Sequence, residues 1–123
     1  MPKSTVTFDT VRNIGLAMPG VEESTAYGSP VLRVRGKILA GIPAKRLEVE
    51  PGSLGICVDL DDRAALLAAD PDVYYVTDHY VGGNWVLVRL SRVNTGVLRD
   101  LLGMAHKFVT SNAEPRRPAQ KRR

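Results

Sequence analysis

Residues 69–90 read ADPDVYYVTDHYVGGNWVLVRL, and the fold class turns on this stretch. It offers two strand-like runs, Val73–Thr77 and Trp85–Leu90, with a loop between them that carries His79. Side chains along a strand alternate with a period of two. Val86, Val88 and Leu90 therefore share one wholly apolar face, predicted to meet the core. Trp85, Leu87 and Arg89 share the other, whose mixed character suits a partly exposed surface. Asp70-Pro71 stops the helix before it, because proline disfavours helical geometry at the preceding residue. Gly82-Gly83-Asn84 tolerate positive φ, so the chain can reverse there.

Downstream, Asn94 can cap a final helix with the apolar stripe Val97, Leu98, Leu101, Leu102, Ala105, Phe108 and Val109. Upstream, Asp61-Asp62 opens a short helix that runs through Arg63–Ala69, since carboxylates favour the positive end of the helix dipole. Gly55–Leu60 alternates as a strand. Val31–Ile42 reads as a hairpin around Gly36-Lys37, because glycine first in a two-residue loop suits a type II′ turn. That turn would pair Arg35 with Ile38, Val34 with Leu39, Arg33 with Ala40 and Leu32 with Gly41. Leu32, Val34 and Leu39 then form an apolar face, Arg33 and Arg35 project from the other, and Lys37 sits at the tip. A short strand is expected around Leu47–Val49, ahead of Pro51-Gly52. At the front, Thr7 can cap a helix Phe8–Met18 that Pro19-Gly20 ends, with Glu22 and Glu23 on a polar connection beyond it.

The order is thus helix, three or four strands, short helix, two strands, long helix. It lacks the regular β-α alternation of a doubly wound parallel sheet. The fold class expected is α+β, in α-β3-α-β2-α order: two layers, with a mostly antiparallel five- to six-stranded sheet and helices packed on one face.

The chain has 123 residues, the length of one domain, and its 44% hydrophobic and 24% charged content is that of a folded rather than a disordered chain. The domain is expected over residues 1–112, with a basic, Pro-containing, disordered tail over 113–123. The net charge of +4 belongs to that tail. Residues 1–114 hold twelve Lys+Arg against thirteen Asp+Glu, a net of −1, while Pro115–Arg123 hold five cations and no acid. Such a tail binds polyanions nonspecifically or merely solubilises the terminus. One cysteine, Cys57, excludes an intramolecular disulfide and fits a reducing compartment. With no signal peptide and no run near the roughly 20 apolar residues of a membrane span, the expected location is the cytoplasm and no membrane partner is expected.

These segments resemble the MmcQ/YjbR-like family of small bacterial proteins. The matching runs are Val11-Arg12 through Pro19-Gly20-Val21-Glu22-Glu23, Tyr27-Gly28-Ser29-Pro30, Arg33-Val34-Arg35-Gly36-Lys37, Leu66-Leu67-Ala68-Ala69-Asp70-Pro71, Thr77-Asp78-His79-Tyr80, and Trp85-Val86-Leu87-Val88-Arg89-Leu90. They cover most of residues 8–110 in order. The resemblance implies an α+β fold of the type III secretion chaperone-like kind and a "double-wing" DNA-binding role. Gly83-Asn84-Trp85 departs from the family pattern, which places a proline near the tryptophan.

Arg33, Arg35 and Lys37 on the hairpin can follow a phosphate backbone, with Arg89 beside them and Trp85 as an aromatic platform if both share one open face. The plainer account is a solvated sheet face, where cations also discourage edge pairing. Tyr27, Asp78, His79 and Tyr80 could line a ligand pocket, and Asp78 could orient His79 for acid–base work. Adjacent strand residues point apart, however, and no nucleophile motif supplies a partner, so a structural loop anchor is the expected role. Cys57, His79 and His106 are too dispersed for a zinc site, and no glycine-rich phosphate loop is present, so neither metal nor cofactor is expected.

The function expected is a non-enzymatic, monomeric nucleic-acid-binding module with nonspecific, salt-dependent affinity. The alternative is a protein- or small-ligand-binding adaptor using the Trp85/Leu87 face. An enzyme comes third and would need Asp78, His79 and Tyr27 or Arg33 to converge in a deep cleft.

Overall fold

The computed structural model describes residues 6–26, 28–43, 49–50, 52–77 and 83–112. In chain order the elements are α1 (Phe8–Leu16), β1 (Val21–Ala26), β2 (Ser29–Val34), β3 (Lys37–Gly41), β4 (Ser53–Cys57), α2 (Leu60–Ala69), β5 (Tyr74–Tyr75), β6 (Trp85–Arg89) and α3 (Thr95–Asn112), with a 3-10 turn at Leu90–Arg92. The strands form one antiparallel sheet in the order β1-β2-β3-β4-β6-β5. The α+β class holds. The order differs by one strand, because Glu22 and Glu23 lie inside β1 rather than on a connection. The expected strand around Leu47–Val49 falls largely on residues 44–48, outside the described residues.

Helices α1 and α3 pack on each other and on one face of the sheet, α1 against β1 and β2, α3 against β2, β3 and β4. Leu32, Val34, Leu54, Ile56, Val86 and Val88 meet Val11, Leu98, Leu102 and Ala105 there in one core. Val86, Val88 and Leu90 face the core as their alternation requires. The Asn94 side chain accepts from the Val97 N–H, capping α3 as expected. Asp59 does the same for α2 through the Asp62 N–H, two residues ahead of the expected start. Leu66 and Leu67 of α2 are half-buried against the core, and α2 packs at the β5 end of the sheet.

The β2–β3 turn lies one residue earlier than the glycine-first rule places it. Val34 pairs with Lys37, so the two-residue loop is Arg35-Gly36, and both residues have positive φ, 55° and 80°. That is the type I′ signature, whose twist matches the flanking strands. The register then shifts between Leu32 and Arg33: Arg33 pairs with Ile38 but Leu32 with Ala40, leaving Leu39 as an extra, bulged residue. The bulge absorbs the early turn, and Leu32, Val34 and Leu39 all remain in the core.

Candidate nucleic-acid interface

The sheet face away from α1 and α3 carries Arg33, Trp85, Leu87 and Arg89 of the residues to which the sequence points. Directly paired residues share a face, so one row crosses all six strands there: Ser24, Val31, Gly41, Gly55, Leu87 and Tyr75. Trp85, opposite Cys57, and Arg89, opposite Ser53, lie on the same face, as does Arg33, opposite Glu22. Arg33 and Trp85 thus share a face. The half-buried Trp85 indole lies over Gly55, where a Cβ would make ordinary van der Waals contact, 3.4 Å from Cε3 and 3.6 Å from Cζ3. Arg63 of α2 fixes this corner by donating from Nη1 to the carbonyls of Gly83 (2.9 Å) and Trp85 (3.1 Å). Leu87 is fully buried. It therefore gives an adaptor face no exposed contact.

The hairpin cations divide. Arg35 and Lys37 are exposed, and Arg33 is half-buried and donates to the Gly36 carbonyl at 3.3 Å. In this register Lys37 opposes Val34 whereas Arg33 opposes Ile38, so the three do not project from one face. They fan around the tip instead. Glu22, directly across from Arg33, sets a carboxylate beside the innermost cation.

Arg89 belongs to a different structure. Its Nε and Nη2 donate to Glu50 Oε1 and Oε2 at 2.9 and 2.8 Å, a bidentate pair, and Nη1 reaches the carbonyls of Pro71 (3.3 Å) and Asp72 (3.2 Å). The guanidinium carbon also lies 4.2 Å from the Tyr75 ring centroid. The Tyr75 hydroxyl in turn bonds the hydroxyl of Ser53, a residue only 3% exposed, and accepts from the Glu50 N–H at 3.2 Å. With most of its five donors engaged, Arg89 ties β6 to Glu50, Pro71 and Asp72, which leaves it fewer donors for a phosphate than a solvated arginine has. No local signal pairs residue 89 with residue 50; only the tertiary fold brings them together.

Hydrogen bonding from Arg89 holds the Glu50 carboxyl below its usual 4.5. A depressed acid stabilises the fold above its unfolded value, and that contribution is lost as pH falls through the folded one. Arg89→Met is expected to lower Tm at pH 7 and to narrow its gap from the unmodified chain as the pH drops below 4.5, with duplex affinity unchanged. Circular dichroism melts and anisotropy titrations check both halves, and a fall in affinity would return Arg89 to the interface.

Tyr27, Asp78, His79 and Tyr80 lie outside the described residues. Among the described residues no group of three or more His, Cys, Asp or Glu is placed to hold a metal, and no helix is long and apolar enough to cross a membrane. His106 serves structure: its Nε2 lies 2.8 Å from the Pro19 carbonyl, linking α3 to the end of α1.

A family model described as YjbR matches residues 16–108. Among solved structures, the crystal structure of Deinococcus radiodurans protein DR2400, a DUF419 domain, superposes with a TM-score of 0.75 at 21% identity, covering 94% of this chain and 87% of that one. At that identity the likeness speaks to the fold alone. No curated protein matches.

Proposed function

The chain belongs to the YjbR family, and on that premise we propose that it is a monomeric, cytoplasmic nucleic-acid-binding module without catalytic chemistry, contacting phosphates through the β2–β3 hairpin. One observation carries the reading. Arg35 is the one non-glycine residue with positive φ among the described residues, in a turn position that Asn, Asp or Gly fills at less cost. Strain of this kind, about 1 kcal/mol or more, persists where the side chain has a use. Here the side chain adds an exposed cation between Arg33 and Lys37, on a body whose residues 1–114 are net −1. Three cations at one tip can meet consecutive phosphates, whereas a diffuse basic surface is not available.

Trp85 plays a supporting role at most, since one side of its ring packs on Gly55. The adaptor reading draws little support: the large apolar side chains exposed among the described residues are Leu16, Leu60 and Val97, scattered over three helices. The residues on which an enzyme reading would rest, Asp78 and His79, are outside the described set.

The test is fluorescence anisotropy with a random duplex and a random single strand across a salt series, on the full chain and on a chain ending at Asn112. Retained, salt-dependent binding by the shorter chain is expected, and binding lost entirely with the tail would overturn the hairpin assignment. A second result separates use from strain. Arg35→Asn is expected to raise stability by roughly 0.5–1 kcal/mol, by relieving the left-handed arginine, while weakening binding. A variant both more stable and equally tight would leave the arginine without a role.

A further inference from the structure

A cleft of about 700 Å³ lies between the start of α2 and α3, remote in sequence from the hairpin. Its lining is two-sided. Met104 and Phe108, one helical turn apart and half-buried against the core, give it apolar surface. Asp59, Asp62 and Asp100 set three carboxylates around them against the single cation Lys107. An apolar floor under a net negative rim fits a cationic segment with aliphatic stems, because arginine and lysine bury their methylenes while keeping the charge in water.

We infer that this cleft is the docking site of the chain's own basic segment, Pro115–Arg123. Charge complementarity is the first argument: the segment carries Arg116, Arg117, Lys121, Arg122 and Arg123 with no acid, opposite a cleft with three carboxylates and one cation on a body of net −1. Position is the second. Ser111 lines the cleft and α3 ends at Asn112, so the segment leaves the helix at the mouth of its own site. Reach is the third. From Ser111 back to Asp100 the helix rises about 16 Å at 1.5 Å per residue, while the residues from Asn112 to Arg116 span up to about 13 Å when extended, before the arginine side chain is added. Arg116 and Arg117 can therefore meet Asp62 and Asp100. Individual exposed ion pairs are weak, but tethering raises the effective concentration to the millimolar range, enough for several weak pairs to act together.

Paramagnetic relaxation in the full chain tests the docking. A nitroxide is placed at Ala119→Cys. Cys57 is a free, half-buried thiol, so it is replaced by alanine to leave the label at position 119 alone. The amides of Gly103, Met104, Lys107 and Phe108 are expected to lose most of their intensity at about 50 mM salt and to recover at ~1 M, where the screening length is ~3 Å. Asp62→Lys with Asp100→Lys abolishes the broadening, Arg116→Glu with Arg117→Glu does the same, and the combined charge swap restores it. Broadening spread evenly over the surface, or centred on the β2–β3 hairpin, overturns the inference. So does broadening seen only between a nitroxide-bearing chain and a separate isotope-labelled chain, which would put a second copy's segment in the cleft.

Discussion

Arg33→Gln, Arg35→Asn and Lys37→Gln made together are expected to flatten the salt dependence of duplex binding. Each phosphate contact contributes about 0.9 to the slope of log K against log salt, so losing three lowers it by about 2.7. A fourfold rise in salt, from about 50 to 200 mM, then weakens the triple variant roughly 40-fold less than the unmodified chain. The neutral replacements keep the turn: asparagine accepts the left-handed position that Arg35 occupies at φ 55°, and Gln preserves the stems at 33 and 37. A folding defect is therefore no explanation for lost binding, and a melt of the same variant checks this. An unchanged slope would remove the hairpin from the interface and point to the five cations beyond Pro115 as the source of nonspecific attraction.

Leu32→Ala is expected to destabilise the fold by about 2–5 kcal/mol, a large part of the roughly 5–15 kcal/mol that holds a domain of this size. Leu32 is fully buried and sits on β2 where the register shifts, opposite Ala40. Its neighbours Leu39 and Ala40 are held in the core by the bulge, so little can collapse into the space it leaves. At about 4–8 °C per kcal/mol, Tm falls by more than 10 °C. Urea unfolding followed by circular dichroism should show a lower midpoint at an unchanged m-value. A midpoint that did not move would mean that the hairpin packs in another register.

Much of the architecture was legible where one physical effect dominated. Trp85–Leu90 alternates cleanly because one face of β6 meets the helices and the other does not. Asn94 and the stripe from Leu98 to Val109 announced α3, since capping and helical periodicity agree. The strand Val21–Ala26 gave no such signal: it is an edge strand with one buried apolar residue, and its two carboxylates read as a loop. Those charges suit an edge that must not pair with another chain. The hairpin is legible but its turn is not, because a glycine at 36 satisfies two turn types and the strained arginine at 35 is the less expected choice. Of the candidate site, the cations at the tip were visible locally. Arg89 reads locally as one more cation on a strand face, and its bond to Glu50, 39 residues away, is reported by no local pattern.

The strand order also divides the sheet by the sequence distance its pairings must span. β1, β2 and β3 form a meander joined by short turns, as in the pairing of Ala26 with Ser29. β4 can add to β3, with Gly41 meeting Gly55, but β6 arrives from further along the chain, with Cys57 meeting Trp85 and Ser53 meeting Arg89, and β5 can only flank β6 once it is there. Closing a loop of about thirty residues costs entropy before any contact repays it, and such nonlocal pairing slows folding. The half that carries the basic hairpin can therefore nucleate first, and the half that holds Arg89 locks last. Changes at the turn should register mainly in the refolding rate, and changes in β6 mainly in the rate at which the native chain opens.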